Sequence, residues 1–132
     1  MMRIAVGIGC RAGRSADSIE AAIRAALALC PRASFEQIAA VATLDAKARE
    51  PGLLACCARH GWPVAGFDRA ALAARLAQAA PGALSAPSPA VRARLGLDGI
   101  CEPCALLAAP RGALLLRKTL HDGVTVALAG PL

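Results

Sequence analysis

The strongest constraint on the fold of this chain is a repeated order of elements, in which a short apolar run precedes a segment of helical period. Ile4 to Ile8 has the pattern of a buried strand, and an amphipathic helix is predicted over residues 16–29. The order recurs twice, with strands at Ile38 to Thr43 and Val64 to Phe67 and helices over 51–60 and 68–79. Such alternation indicates parallel strands joined by crossover helices.

The last third of the chain departs from this order. A loop is predicted over residues 81–88, and short helices are predicted from Ser88 to Gly96 and over about 102–109. Ala113 to Thr119 and Val124 to Ala129 read as strands, and the intervening turn sequence predicts a hairpin. We therefore expect one domain over residues 1–132, a three-layer α/β/α fold with a mostly parallel sheet of about five strands and a C-terminal antiparallel hairpin.

The charge balance limits the partners. The 132 residues carry a net charge of +6, and only two of the fifteen basic residues are lysine. Nucleic acid is disfavoured because single-strand binders stack bases on aromatic rings, and this chain has only Phe35, Phe67 and Trp62. Arginine suits the forked recognition of carboxylate or phosphate, so an acidic small molecule fits better, although a GC-rich genome also raises arginine content.

The expected location is the cytoplasm, with no membrane partner. The apolar run at the N-terminus is too short for a signal peptide, and no stretch approaches the roughly 18 apolar residues of a membrane span. The six cysteines should then be reduced, and most of them buried.

The glycine loop after the first strand, Gly7-Ile8-Gly9-Cys10-Arg11-Ala12, matches a dinucleotide-binding pattern only in part. The acid expected about 20 residues later is replaced by Cys30-Pro31-Arg32, and no Gly-Lys-Ser/Thr follows for a nucleotide P-loop. No cofactor is therefore expected. Backbone N–H groups of the loop, with Arg11 and Arg14, instead favour an anion site; a tight turn with solvated arginines is the alternative.

Polar residues also follow the second strand, in Thr43-Leu44-Asp45-Ala46-Lys47 and then Glu50. Since the carboxyl ends of parallel strands share one edge, these residues should lie near the glycine loop and form a polar site. A capped loop with a surface ion pair explains the same pattern.

Cys101-Glu102-Pro103-Cys104 has the spacing of a redox or zinc motif. A zinc site needs about four ligands, and neither a second cysteine pair nor a histidine pair has matching spacing, so no metal is expected. His60 and His121 have no evident nucleophile as partner, and a catalytic triad is not supported.

Several blocks resemble the CobE family and the C-terminal domain of CbiG. They are Gly7-Ile8-Gly9-Cys10-Arg11, Ser15 with Ile19-Glu20-Ala21-Ala22-Ile23, Thr43-Leu44-Asp45-Ala46-Lys47, Glu50-Pro51-Gly52-Leu53-Leu54, Pro87-Ser88-Pro89, Glu102-Pro103-Cys104-Ala105-Leu106, and Lys118 before Val124-Thr125-Val126-Ala127-Leu128-Ala129. The blocks keep the family order along the whole chain. The stand-alone CobE form is the closer resemblance, because no counterpart of the N-terminal portion of CbiG precedes them.

The resemblance implies a role in building the corrin ring of cobalamin, with an acidic corrinoid or precorrin intermediate as partner. CbiG is associated with opening a lactone ring on a cobalt-precorrin. The leading hypothesis is a binding or carrier role. The residues expected to bind the intermediate are Gly9, Cys10, Arg11, Arg14, Ser15, Thr43, Asp45, Lys47, Glu50 and Lys118. Two alternatives remain, a hydrolytic enzyme with Asp45 or Glu102 as general base and a basic module that docks on another pathway enzyme.

Overall fold

A computed structural model describes residues 2–78 and 99–132 of the chain. The strands are β1 (Ile4–Cys10), β2 (Ile38–Leu44), β3 (Val64–Phe67), β4 (Ala113–His121) and β5 (Val124–Gly130). The helices are α1 (Ala16–Ala28), α2 (Pro51–His60), α3 (Arg69–Gln78) and α4 (Cys101–Ala108). The strands form one sheet in the order β3-β2-β1-β5-β4.

The sheet is mixed, which corrects the expectation of a mostly parallel one. Strand β1 is parallel to β2, and β2 to β3, whereas β5 is antiparallel to both β1 and β4. The predicted hairpin of β4 and β5 is present, but β5 lies beside β1 in the middle of the sheet. The reason is that β5 is almost wholly apolar and can be buried on both faces between two strands, whereas β4 carries Arg117, Lys118 and His121 and suits an edge, where all of its residues are exposed or half-buried.

The three predicted layers are present. Ile19 and Ile23 of α1 and Leu53 of α2 pack with the alternate β1 residues Ile4, Val6 and Ile8 on one face of the sheet. The opposite face is covered by α3 and α4, with Leu72 and Cys104 packed on Ala42 and Leu44 and with Cys101 and Ala105 packed on Ala5 and Ala127. Successive side chains of the central strands point to opposite faces of the sheet, and both faces are apolar. Helices therefore cover the sheet on both sides.

The helix ends follow from capping residues identified in the sequence. Ser15 precedes α1, and its hydroxyl accepts a hydrogen bond from the backbone N–H of Ser18 at 3.1 Å. Pro51 begins α2, and Gly61 ends it in the left-handed conformation. The helix predicted near 102–109 is α4, whereas the loop predicted over 81–88 and the helix predicted from Ser88 to Gly96 lie outside the described residues. Across the described residues, no helix is both long and apolar enough to cross a membrane.

Candidate functional site

The candidate site lies where the parallel strands end. Leu44 of β2 pairs with Phe67 of β3, and Cys10 of β1 pairs with Val124 of β5. The turn between β4 and β5 therefore reaches the same edge as the ends of β1, β2 and β3. In α/β sheets the carboxyl ends of parallel strands are where ligands bind.

Four of the residues predicted from the sequence are brought together at this edge. Nζ of Lys47 is 3.9 Å from Oε1 of Glu50. The pKa of the Cys10 thiol is raised, first by burial and then by the Glu50 charge, whereas the Lys47 and Arg14 charges lower it. All three charged side chains thus lie within electrostatic reach of the end of β1, as the strand-end argument predicted.

Helix α2 approaches this group closely because residue 52 is a glycine. A Cβ at Gly52 would overlap the Arg14 carbonyl, so only glycine permits the start of α2 to lie against the Arg14–Ser15 backbone. The N-termini of α1 and α2 therefore meet beside Arg14. Their positive dipole ends add to the cationic character of the edge.

Thr43 and Gly9 are part of the framework beneath the loop. The Thr43 hydroxyl is fully buried and donates to the Ile8 carbonyl at 2.8 Å. From the neighbouring strand, the Thr125 hydroxyl donates to the Gly9 carbonyl at 3.1 Å. Both hydroxyls fix the end of β1 and the course of the glycine loop, as buried polar groups require partners.

The Ser15 and Arg11 side chains differ in whether they already make a polar contact within the protein. The Ser15 hydroxyl caps α1, whereas Arg11 is exposed at the start of the loop. No hydrogen bond or ion pair joins the Arg11 guanidinium to any residue in the described part of the chain. Arg11 is therefore the cation of this loop that a ligand can engage without breaking a contact seen there.

Asp45 lies on the other side of the edge, between β2 and β3. It is exposed, begins a 3₁₀ turn over Asp45–Lys47, and packs against the backbone of Gly66 on β3. An open cavity of about 480 Å³ lies beside it, lined also by Arg49, Asp68 and Arg69. Arg49 and Arg69 were missed by the sequence reasoning, although each follows a strand end, which is the signal that could have found them.

Glu102 and Lys118 do not join this group. Glu102 lies in the first turn of α4, is 5% exposed, and accepts a hydrogen bond from the backbone N–H of Lys118 at 2.8 Å. Lys118 is exposed on β4, three strands from β2, which is about 14 Å at the usual strand spacing. The two candidate general bases therefore occupy different surroundings, since Asp45 is open to solvent and Glu102 is buried.

Asp122, in the hairpin turn, was also missed. Its carboxylate accepts a hydrogen bond from the Ser18 hydroxyl at 3.1 Å and lies 3.8 Å from the Arg14 guanidinium. The sequence marked His121-Asp122-Gly123 as a turn, but a turn signal does not indicate which edge the turn reaches. The order of β5 in the sheet determines that contact.

A second cavity, of about 410 Å³, lies at the opposite edge and is lined by Arg3, Phe35, His60 and Trp62, among others. The His60 ring stacks on Trp62 with centroids 4.5 Å apart, and its Nε2 is 2.6 Å from Oε1 of Glu20. These contacts join α1 to the end of α2. Because the predicted cationic residues gather at the carboxyl edge instead, we take that edge as the candidate site.

All six cysteines are free and buried, and the sequence predicted burial for most of them. Burial raises the pKa of Cys57 and of Cys101 to about 12, and it also raises the pKa of Cys104. In the described part of the chain, no group of three or more His, Cys, Asp or Glu residues is arranged to hold a metal ion.

Comparison with known sequences identifies relatives along nearly the whole chain. Residues 4–129 match the family model described as cobalamin synthesis G C-terminus. Protein CobE from Sinorhizobium sp is 36% identical over 129 residues, covering 97% of this chain and 80% of that protein. A cobalt-precorrin-5A hydrolase from Priestia megaterium is 30% identical over 126 residues, but the matched region is 32% of its length.

Solved structures that resemble this chain also belong to cobalamin biosynthesis proteins. The crystal structure of CobE, described as a protein from the cobalamin (vitamin B12) biosynthetic pathway, matches with a TM-score of 0.81 and 29% identity, covering 97% of this chain and 89% of that one. The cobalamin biosynthesis protein chiG from Agrobacterium tumefaciens matches with a TM-score of 0.73 and 28% identity, covering 96% of both chains.

Proposed function

This chain belongs to the cobalamin synthesis G C-terminus family, and from that premise we propose that it binds an acidic corrinoid or precorrin intermediate at the carboxyl edge of its sheet. The role proposed is that of a carrier or accessory protein of corrin-ring synthesis, in the cytoplasm, in contact with other enzymes of the pathway.

The observation that supports this proposal is a group of five cations at the ends of β1, β2 and β3, which stand among the carboxylates of the same edge. Arg14 and Lys47 flank the end of β1, Arg11 is exposed beside them, and Arg49 and Arg69 line the neighbouring cavity. A corrin intermediate carries several acetate and propionate arms around a flat ring. Forked guanidinium groups bind such carboxylates well, and their fixed spacing selects a ligand with several of them.

A carrier role is favoured because the hydroxyls near the end of β1 are already hydrogen-bonded and the nearby thiol is protonated. The Thr43 hydroxyl donates to the Ile8 carbonyl, and the Ser15 hydroxyl caps α1. Burial raises the pKa of the Cys10 thiol and keeps it in its neutral form. A nucleophile needs a general base hydrogen-bonded to it, and in the described residues no hydrogen bond joins the Thr43, Ser15 or Cys10 side chain to a carboxylate or a histidine.

A hydrolytic function is the second candidate, and Asp45 is the observation in its favour. Its carboxylate is exposed at the cavity that Arg49 also lines, so it can act as a general base on water while the arginine holds an acidic arm. The similarity to a cobalt-precorrin-5A hydrolase favours the same reading. Glu102, buried against the Lys118 amide, is the weaker candidate for this role.

The test is a titration of the purified protein with hydrogenobyrinic acid, followed by pigment absorbance and co-elution on gel filtration. We expect stoichiometric binding with an unchanged pigment spectrum, and Arg11→Ala should weaken it about two- to fivefold, the range for an exposed ion pair. Arg32→Ala, an exposed arginine beyond the far end of α1, is the matched control and should change little.

The possible results separate the functions. A converted spectrum that Asp45→Asn abolishes while affinity is kept would make the protein an enzyme. If no corrinoid binds, the pocket proposal fails, and loss of a complex with another pathway enzyme in Arg11→Ala would support a docking role instead.

A further inference from the structure

The Arg14 guanidinium already faces a carboxylate of the chain itself. Oδ1 of Asp122 is 3.8 Å from Nη1 of Arg14, and Oδ2 of Asp122 accepts the Ser18 hydroxyl proton at 3.1 Å. One carboxylate therefore touches a cation and a hydroxyl donor at once. This is the contact pattern that a carboxylate arm of a ligand would need.

The Ser18 hydroxyl is held ready to donate. Oγ of Ser15 lies 3.2 Å from Oγ of Ser18, and the Ser18 amide donates back to the Ser15 hydroxyl at 3.1 Å. With Ser15 donating to Ser18, the Ser18 proton is directed at Asp122. Such a chain of hydroxyls strengthens its last bond to an anion.

The turn is shaped to bring Asp122 to this place. Asp122 has a φ of 51°, the only positive value among the non-glycine residues of the described chain, and Gly123 follows with a φ of 73°. A Cβ at Gly123 would lie 2.6 Å from Nη2 of Arg14, so the guanidinium rests directly on the turn backbone. Positive φ at both central residues is the usual geometry of a two-residue hairpin turn with the sequence Asp-Gly, and this turn places the Asp122 carboxylate beside Arg14.

From this geometry we infer that Arg14 and Ser18 form a carboxylate subsite and that Asp122 is its internal occupant, which a carboxylate arm of the ligand displaces. The inference rests on the proposed function and adds the regulation of that site. In the ligand-free protein, Asp122 satisfies Arg14 and fastens the β4–β5 turn to α1. On binding, the arm takes over both contacts and the turn is released.

The contact is weak enough to be exchanged. The Arg14 and Asp122 side chains are 35% and 57% exposed, so water reaches both and the ion pair contributes little to stability. Asp122 has the advantage of being tethered beside Arg14, so a ligand carboxylate displaces it only when additional arms are bound by Arg11 or Lys47. Asp122 therefore lowers affinity for any single-carboxylate compound while permitting a ligand with several.

The test compares Asp122→Asn with wild type in the hydrogenobyrinic acid titration. Asparagine tolerates a positive φ and still accepts the Ser18 proton, so the turn should persist while the charge is lost. We expect affinity to rise about two- to fivefold, the range for an exposed ion pair. The increase should vanish in the Arg14→Ala background, because the competition needs Arg14.

Two controls separate competition from a general change of charge. Asp17→Asn removes the same charge from the first turn of α1, where Asp17 pairs with Arg59 at 2.9 Å, and should leave affinity nearly unchanged. Cobinamide, a corrin with amidated arms, should bind Asp122→Asn and wild type alike.

Each result is decisive. Unchanged or lower affinity in Asp122→Asn, with a wild type that binds, overturns the inference and leaves the proposed function intact. An equal gain in Asp17→Asn also overturns it, since charge alone would then explain the effect. If neither wild type nor Asp122→Asn binds any carboxylated corrin, the proposed function fails, and the inference fails with it.

Discussion

Replacing Thr43 with valine distinguishes a framework role from ligand contact. Thr43 lies at the end of β2, inside the proposed site, yet its side chain is fully buried and its hydroxyl donates to the Ile8 carbonyl at 2.8 Å. Valine has nearly the same shape but cannot donate. The Ile8 carbonyl would then lose this partner at a place that water does not reach.

The expected loss follows from this single bond. Leaving a buried acceptor without its donor costs about 1–3 kcal/mol, so Thr43→Val should lower the free energy of unfolding by about 2 kcal/mol. With a urea m-value of about 2 kcal/mol/M, the midpoint should fall by about 1 M. Trp62 is the only tryptophan of the chain, and its fluorescence reports the transition.

Thr119→Val is the matched control. Its hydroxyl donates to the Val126 carbonyl at 3.2 Å from the half-buried edge strand β4, where water can replace it. We expect a change under about 0.5 kcal/mol. At a urea concentration well below both midpoints, Thr43→Val should bind hydrogenobyrinic acid within about twofold of wild type. Unchanged stability with a loss of affinity above fivefold would refute the framework reading and assign the Thr43 hydroxyl to the ligand.

Two further predictions concern carboxylates. Glu102→Ala should lower the urea midpoint more than Glu102→Gln, because glutamine keeps an acceptor for the Lys118 amide; equal losses would show that this bond contributes nothing. The hydrogen bond to His60, more than that to Arg24, holds the pKa of Glu20 below its ordinary value of 4.5. Glu20 therefore stabilises the fold above that value and loses this contribution as the pH falls through its lower folded pKa. Urea midpoints of Glu20→Gln should accordingly decline less on acidification than those of wild type, and parallel declines would contradict the assignment.

The elements predicted from sequence agree closely with the structure where local signals define them. The helix predicted over 16–29 is found over Ala16–Ala28, because Ser15 caps it and its apolar positions repeat with the helical period. The place of β5 could not be predicted in this way. Hydrophobic alternation identifies a strand, and turn residues identify a hairpin. The strand's neighbour in the sheet, however, depends on contacts between residues more than 100 positions apart in sequence, such as Gly9 with Thr125.

The same limit explains which parts of the site could be predicted. Arg14, Lys47 and Glu50 meet because each follows or adjoins a parallel strand end, and that edge is fixed by topology. Lys118 was predicted beside them, but it lies on the far edge strand because β5 separates β4 from β1. Asp122 could be placed at Arg14 only once β5 was known to pair with β1.

The choice between carrier and catalyst turns on what the site can do without a thiol. Cys10 is the cysteine nearest to the cationic group, and its buried thiol has a raised pKa, so at neutral pH it is almost wholly protonated and a poor nucleophile. The hydrolytic alternative proposed above uses water activated by a carboxylate, and Asp45 is the exposed candidate for that role. In the proposed function, binding would use the cations at the strand ends, whereas hydrolysis would use those cations and would also need a scissile bond held within one water molecule of Asp45. A carrier thus needs only part of what the enzyme needs, and Asp45→Asn is the substitution on which the two functions differ.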